Sequence, residues 1–291
     1  MKLPLGLSIS AFTLSVVLTV VAAQQPAPKR TPDVIYVPTP PEVVEVMLRL
    51  AEVDNKDVLY DLGCGDGRIP ITAAKKHGAR GVCVDIDPQR IRKARENAKQ
   101  AGVVDRVKII EGDLFETDLR PATAVTLYLL NSLNLKLRPK LLQELKPGTP
   151  VVSHDFHMDD WKPEEEIQLG GHKVYKWRIP ARAAGTWRWQ GPAPQRAQYE
   201  LVLQQKLQRV DGTLLVNGHR RPVQNGHVTV NEIRFEVPGD NVQPALRFEG
   251  NIAGSNIRGR VRAYNGTETA WSATLAGSLT RAAAVAGGPS R

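Results

Sequence analysis

Between residues 34 and 180 the chain alternates short, continuously apolar runs with longer stretches whose apolar residues recur at helical spacing. The runs "DVLYDLG" (57–63), "RGVCVDI" (80–86), "RVKIIEGD" (106–113), "TAVTLYLL" (123–130) and "TPVVSHDF" (149–156) predict five strands. Between them, "GRIPITAAKKHG" (67–78), "PQRIRKARENAKQAG" (88–102) and "NLKLRPKLLQELKPG" (134–148) predict helices. Gly78 and Gly102 close the first two, Pro88 opens the second, and Pro70 is tolerable in the first turn of the first. Strands that are apolar throughout and separated by helices are covered on both faces, as in a parallel sheet. The segment 34–180 is therefore expected to be a doubly wound, Rossmann-like α/β domain.

After Pro180 the period changes to two. "AGTWRWQ", "QYELVLQQKLQRVDGTLLV", "HVTVNEIRFEV", "ALRFEGNIAGSNIRGRVRAY" and "TAWSATL" alternate apolar with polar residues around DG, NG and GS turns. Residues 183–278 are expected to form a smaller antiparallel β domain, a barrel or a sandwich, with an interior filled by its own side chains. This run loosely resembles the lipocalin-like or avidin-like modules of exported bacterial hydrolases. Residues 279–291 read as a flexible tail.

The N-terminus departs from both patterns. In "MKLPLGLSISAFTLSVVLTVVAA" (1–23) a cation at Lys2 precedes an uncharged apolar run and small residues at Ala22 and Ala23. That is the layout of a cleavable signal peptide, with an uncleaved membrane anchor as the alternative. "QQPAPKRTPD" (24–33) reads as a linker. Export to the periplasm or beyond, or tethering at the membrane, is the expectation.

Composition narrows the picture. A chain of 291 residues, 42% hydrophobic and 24% charged, is globular and long enough for about two domains. Its net charge is +9, and from Ala183 onward 13 Lys plus Arg, 12 of them Arg, stand against 7 acidic residues. These arginines are scattered singly along strand-like segments, so no specific nucleic-acid surface is expected. Two cysteines, Cys64 and Cys83, are too few for a disulfide framework and are expected to be buried free thiols.

The candidate chemistry lies at three consecutive strand ends, where ligands bind in such folds. In "YDLGCGDGR" (60–68) Gly63, Gly65 and Gly67 permit a tight turn and close approach of a ligand to the main chain. A dinucleotide fingerprint would need glycine where Arg68 stands, so a pyrophosphate site is disfavoured. Asp85, 20 residues beyond Gly65, suits the hydroxyls of a ribose, and Asp113 in "EGDLF" suits an exocyclic adenine amine.

This constellation resembles the seven-strand class of S-adenosylmethionine-dependent methyltransferases. "VIYVPTPPEVVEVML", "VTLYLL" and "LRPKLLQELKPGTPVVSHDF" resemble the protein-lysine methyltransferase family that includes archaeal broad-specificity enzymes and mitochondrial ATP synthase c-subunit methyltransferases. The resemblance implies S-adenosylmethionine as cofactor, with Asp61, Gly63 and Gly65 lining its amino acid portion, Asp85 taking the ribose and Asp113 the adenine. It implies that "YVPTP" (36–40), Thr39 within it, folds over the cofactor as a lid. Tyr128 and Asn131 would face the acceptor.

Enzymes of this class that methylate planar amides or base amines carry an Asn or Asp, two prolines and an aromatic after the fourth strand. Here that place reads "YLLNSLN", which favours an aliphatic amine, on a protein lysine or a small molecule. A metal reading of His154, Asp155, His157 and Asp159 is not favoured, because a His-x-x-His pair at a strand end does not share a face. The rival to catalysis is an exported binding protein whose α/β half holds a nucleoside and whose β half engages a partner.

Overall fold

The computed structural model describes residues 31–191, 196–241 and 243–277. The leader (1–23), most of the linker (24–33) and the tail (279–291) lie outside the described residues. Among those described, no helix is long and apolar enough to cross a membrane.

The described chain opens with helix α1 (Pro41–Leu50), which buries Val43, Val44, Met47 and Leu48. Those positions share one face at a spacing of three to four residues, and the proline sits at the helix start, where it costs no hydrogen bond. The parallel strands follow: β1 (Val58–Leu62), β2 (Arg80–Asp85), β3 (Val107–Glu111), β4 (Ala124–Leu127) and β5 (Pro150–His154). Helix α2 (Arg68–Thr72), prolonged by a π-helical turn over Ala73–His77, joins β1 to β2, and α3 (Pro88–Gln100) joins β2 to β3. Helix α4 (Asn131–Glu144) joins β4 to β5.

Two further strands, β6 (Glu165–Leu169) and β7 (His172–Arg178), complete a seven-stranded sheet in the order β3-β2-β1-β4-β5-β7-β6. Strand β7 runs antiparallel to both β5 and β6. Neither β6 nor β7 was legible as an apolar run: "EEIQL" is an edge strand with a largely exposed pattern, and edge strands carry charge. Because β1 is flanked by β2 on one side and β4 on the other, the direction of winding reverses beside it. A crevice therefore opens at the carboxyl ends of these strands.

Beyond Ala183, β8 (Gly185–Gln190), β9 (Gln198–Lys206), β10 (Arg209–Val216), β11 (His219–Thr229), β12 (Glu232–Val237), β13 (Leu246–Ala253), β14 (Asn256–Ala263) and β15 (Glu268–Leu275) close into an antiparallel barrel. Closure through β15 and β8 leaves no free edge and decides between barrel and sandwich. The interior is packed. Phe235 and Phe248 stack with ring centroids 4.6 Å apart, and Trp271 meets Phe248 edge-on at 5.2 Å.

The cysteines correct the sequence reading. Cys64 and Cys83 form a disulfide, with Cα atoms 5.3 Å apart. Residue 83 lies opposite Asp61 on the neighbouring strand, and the glycine turn after Leu62 folds Cys64 back over it. Two cysteines far apart in sequence thus meet through strand pairing, which spacing alone does not reveal. Closing a loop across a sequence separation of 19 residues corresponds to about 3 kcal/mol of denatured-state entropy. Equilibrium denaturation with and without reductant should show a stability difference of about that size, and none in Cys64→Ser/Cys83→Ser.

Candidate functional site

The glycine loop begins where β1 ends. Gly63, Gly65 and Gly67 all have left-handed backbones, with φ of 79°, 55° and 76°. At Gly65 the need for glycine is twofold, since a Cβ there would lie 2.4 Å from the Tyr36 ring. The Gly63 and Cys64 amides donate to Val84 O at 2.9 and 3.1 Å, which pins the loop to β2. The loop borders a cleft of about 300 Å³.

Six of the sequence-predicted residues other than the acceptor pair, namely Thr39, Asp61, Gly63, Gly65, Asp85 and Asp113, all line this cleft. Asp85 Oδ2 accepts the Gly65 N–H at 2.8 Å and Oδ1 accepts the Asp87 N–H at 2.9 Å, so the carboxylate is oriented before any ligand arrives. A carboxylate has about four lone-pair sites, and capacity remains for hydroxyl donors. Burial raises the Asp85 pKa. Asp113 Oδ1 accepts the Phe115 N–H at 2.8 Å, forming the turn that follows β3.

Asp61 is more extreme. It is 2% exposed, accepts the Thr126 hydroxyl at 2.8 Å, and burial lifts its pKa to about 7, with the charges of Asp85 and Asp66 adding to the rise. A carboxyl in this state is poised to ionise when a cation enters the cleft.

The segment ahead of α1 borders the cleft: residues from Pro32 to Thr39 line it. Arginines not singled out in the sequence as lid contacts hold it there. Arg68 donates to Thr39 O at 2.8 Å and forms an ion pair with Asp66 at 2.7 Å, and Arg90 lies 4.1 Å from the Tyr36 ring centroid. The signal available in the sequence was Arg68 itself, standing where a dinucleotide loop would have glycine.

The two acceptor-side residues part company. Tyr128 lines the cleft, its ring centroid 3.9 Å from that of His154. Asn131 is half-buried, is not among the lining residues, and lies 3.1 Å from His157 Nε2. His157 therefore lies against the start of α4. The fully buried His154 contacts Thr39 Oγ1 through Nδ1 at 3.2 Å, and burial pushes its pKa down to about 4.

Comparison with known proteins agrees with this geometry. Residues 61–165 match the ANTKMT methyltransferase domain family. A protein-lysine N-methyltransferase from Saccharolobus islandicus is 49% identical over 51% of this chain and 95% of its own length. The mouse adenine nucleotide translocase lysine N-methyltransferase is 32% identical over 53% of this chain and 69% of its own. Among solved structures, an RNA methyltransferase from Salinibacter ruber in complex with S-adenosyl-L-homocysteine is 61% identical. It has a TM-score of 0.50 and covers 50% of this chain and 95% of that one.

The α/β domain is thus an S-adenosylmethionine-dependent methyltransferase of the seven-strand class. Within that class, the chain belongs to the family of the Saccharolobus protein-lysine N-methyltransferase.

The residues present fit that cofactor. Gly63 and Gly65 bring no side chains of their own into the cleft, a buried carboxyl stands ready to meet positive charge, and Asp85 is held by main-chain donors for a vicinal diol. Asp85→Ala is expected to weaken cofactor binding by about 1–3 kcal/mol, the cost of unpaired hydroxyls, measured by calorimetry. An unchanged affinity would remove the ribose assignment.

Proposed function

We propose that the enzyme methylates an aliphatic amine, the side chain of a protein lysine, and that it does so outside the cytosol. The observation that carries the substrate class is the 49% identity to a protein-lysine N-methyltransferase across nearly all of that protein's length. The acceptor end of the site supports it. After β4 the sequence reads "YLLNSLN", without the proline clamp that orients a planar amine.

Bound in the cleft, S-adenosylmethionine supplies an electrophilic methyl group on a sulfonium. The chain's own task is to hold the acceptor in line, exclude water and deliver the amine uncharged. Leu129 and Leu133 give the cleft an apolar wall near Tyr128, and an ammonium entering such surroundings loses its proton more readily than in water. The Tyr128 phenol, its pKa raised by burial, stays protonated near neutral pH and offers a hydroxyl to the incoming nitrogen.

A second reading has one observation behind it: the Salinibacter structure, at 61% identity, is of an RNA methyltransferase. Incubation with methyl-labelled cofactor and a mixture of exported proteins and RNA separates the two. Methyl-lysine in the acid hydrolysate supports the proposal. Label confined to nucleosides would replace it with the RNA reading.

Extracytosolic location is supported by the leader-like "MKLPLGLSISAFTLSVVLTVVAA" together with the Cys64–Cys83 disulfide, because disulfides persist in oxidising compartments. The protein is then released after cleavage or tethered beside the membrane by the uncut segment. Mass spectrometry of the N-terminus and a thiol count on protein from cell fractions test this. A reduced protein that keeps Met1 and stays in the cytosol would refute it.

A further inference from the structure

We propose that His154, Asp155 and His172 form a mononuclear binding site for a divalent transition-metal ion, placed behind Tyr128 and separate from the cofactor cleft. None of the three lines that cleft. The proposal is independent of the acceptor assignment.

The fold brings the three together by a simple register. His154, the last residue of β5, pairs with Val174 on antiparallel β7, so His172, two residues before Val174, is a diagonal neighbour on the same face. Asp155 follows with a left-handed backbone (φ 59°), a conformation disfavoured for a residue with a side chain. Its N–H donates to Lys173 O at 2.7 Å and its Oδ1 accepts the Lys173 N–H at 2.8 Å, so Oδ2 is turned toward the histidines.

The three facing atoms form a small triangle. His154 Nε2 to His172 Nδ1 is 3.0 Å, His172 Nδ1 to Asp155 Oδ2 is 3.0 Å, and His154 Nε2 to Asp155 Oδ2 is 3.3 Å. Ligands about 2.0–2.2 Å from one ion, at angles between octahedral and tetrahedral, are separated by about 3.0–3.4 Å. Protons alone serve this triangle poorly. Two N–H groups cannot both point inward across 3.0 Å, and with one proton inside, a second imidazole lone pair is left facing the others. An ion satisfies three lone pairs at once.

The surroundings have the form of an outer shell. With His154 ligating through Nε2, its Nδ1–H donates to Thr39 Oγ1 at 3.2 Å, while the Lys173 amide fixes the second carboxylate oxygen. His154 is fully buried, whereas the His172 and Asp155 side chains are 34% and 27% exposed, which leaves one side open to water ligands. Two imidazoles and one carboxylate select zinc, cobalt, nickel or ferrous iron over magnesium or calcium, which prefer oxygen donors throughout.

The test uses the untagged full chain, stripped with chelator and exchanged into metal-free buffer. Titration with Co²⁺ should produce visible d–d bands that saturate at one equivalent and are bleached by Zn²⁺. Elemental analysis after gel filtration should find one Zn²⁺ per chain. His172→Ala and Asp155→Asn should each weaken Co²⁺ binding by more than about a hundredfold, since even an outer-shell loss costs about 10–100-fold. Thermal melts and calorimetric binding of S-adenosyl-L-homocysteine confirm that the variants fold. Absence of Co²⁺ bands in the wild type, or equal affinity in folded variants, would overturn the site and leave the methyltransferase reading untouched.

Discussion

Asp61→Asn is expected to stabilise the cofactor-free protein at pH 7 by an amount that shrinks as pH falls toward 4, with a total change of up to about 4 kcal/mol. Burial raises the folded-state pKa of Asp61 from 3.8 to about 7. Between those values the native chain holds a proton that the unfolded chain has lost. This protonated carboxyl contributes its full stability below pH 3.8, and that contribution is lost as pH rises through 7, at about 1.4 kcal/mol per unit. Asp85, raised by the same cause, adds a slope of the same sign. His154, pushed down to about 4, has the opposite slope over part of the window, because its unfolded form takes up protons first. The readout is therefore the difference between wild type and variant in urea titrations across pH, not either curve alone. A flat difference would mean that Asp61 is ionised in the apoprotein at all these values. Cofactor binding should reverse the bias. A sulfonium and an α-ammonium favour the ionised carboxylate, so affinity should rise with pH up to about 7, and calorimetry below that pH in buffers of different ionisation enthalpy should report proton release.

What the sequence disclosed of this site follows from where information is local. Gly63, Gly65, Asp85 and Asp113 each sit at the end of an apolar run, so the strand pattern alone carries them to one crevice once the sheet is parallel. The barrel was legible as antiparallel alternation, but its closure depends on pairing between β15 and β8, roughly 85–90 positions apart, and no local pattern encodes that. The same limit hid the disulfide and the His172 contact, since both are made by the register of neighbouring strands. Asn131 shows the converse limit. Its place after the fourth strand suggested the acceptor, yet as the first residue of α4 it is half-buried, turned toward His157 and not among the residues that line the cleft. Arg68 and Arg90 were invisible as lid clamps because their partners, the Thr39 carbonyl and the Tyr36 ring, lie 29 and 54 residues upstream in a segment without regular structure.

Gly65→Val should nearly abolish cofactor binding, by about 3–4 kcal/mol or a hundred- to thousandfold, with methyl transfer falling in step. Two costs combine at this position. The backbone at φ 55° disfavours a β-branched residue, and the new Cβ would enter the Tyr36 ring at 2.4 Å. The chain can relieve the overlap only by moving the lid off the loop or the loop off the lid. Moving the lid breaks the Arg90 stacking and the Arg68 contacts that hold it, and moving the loop breaks the Gly65 N–H to Asp85 bond of 2.8 Å. Either motion opens the cleft to water where the acceptor amine must be desolvated. Gly102→Val is the control: it shares a positive φ of 70° in the turn after α3, but a Cβ there meets nothing within 4 Å. That variant should lose folding stability without losing cofactor affinity. If Gly65→Val binds cofactor as the wild type does while remaining folded, the contact between Tyr36 and the glycine loop does not close the site.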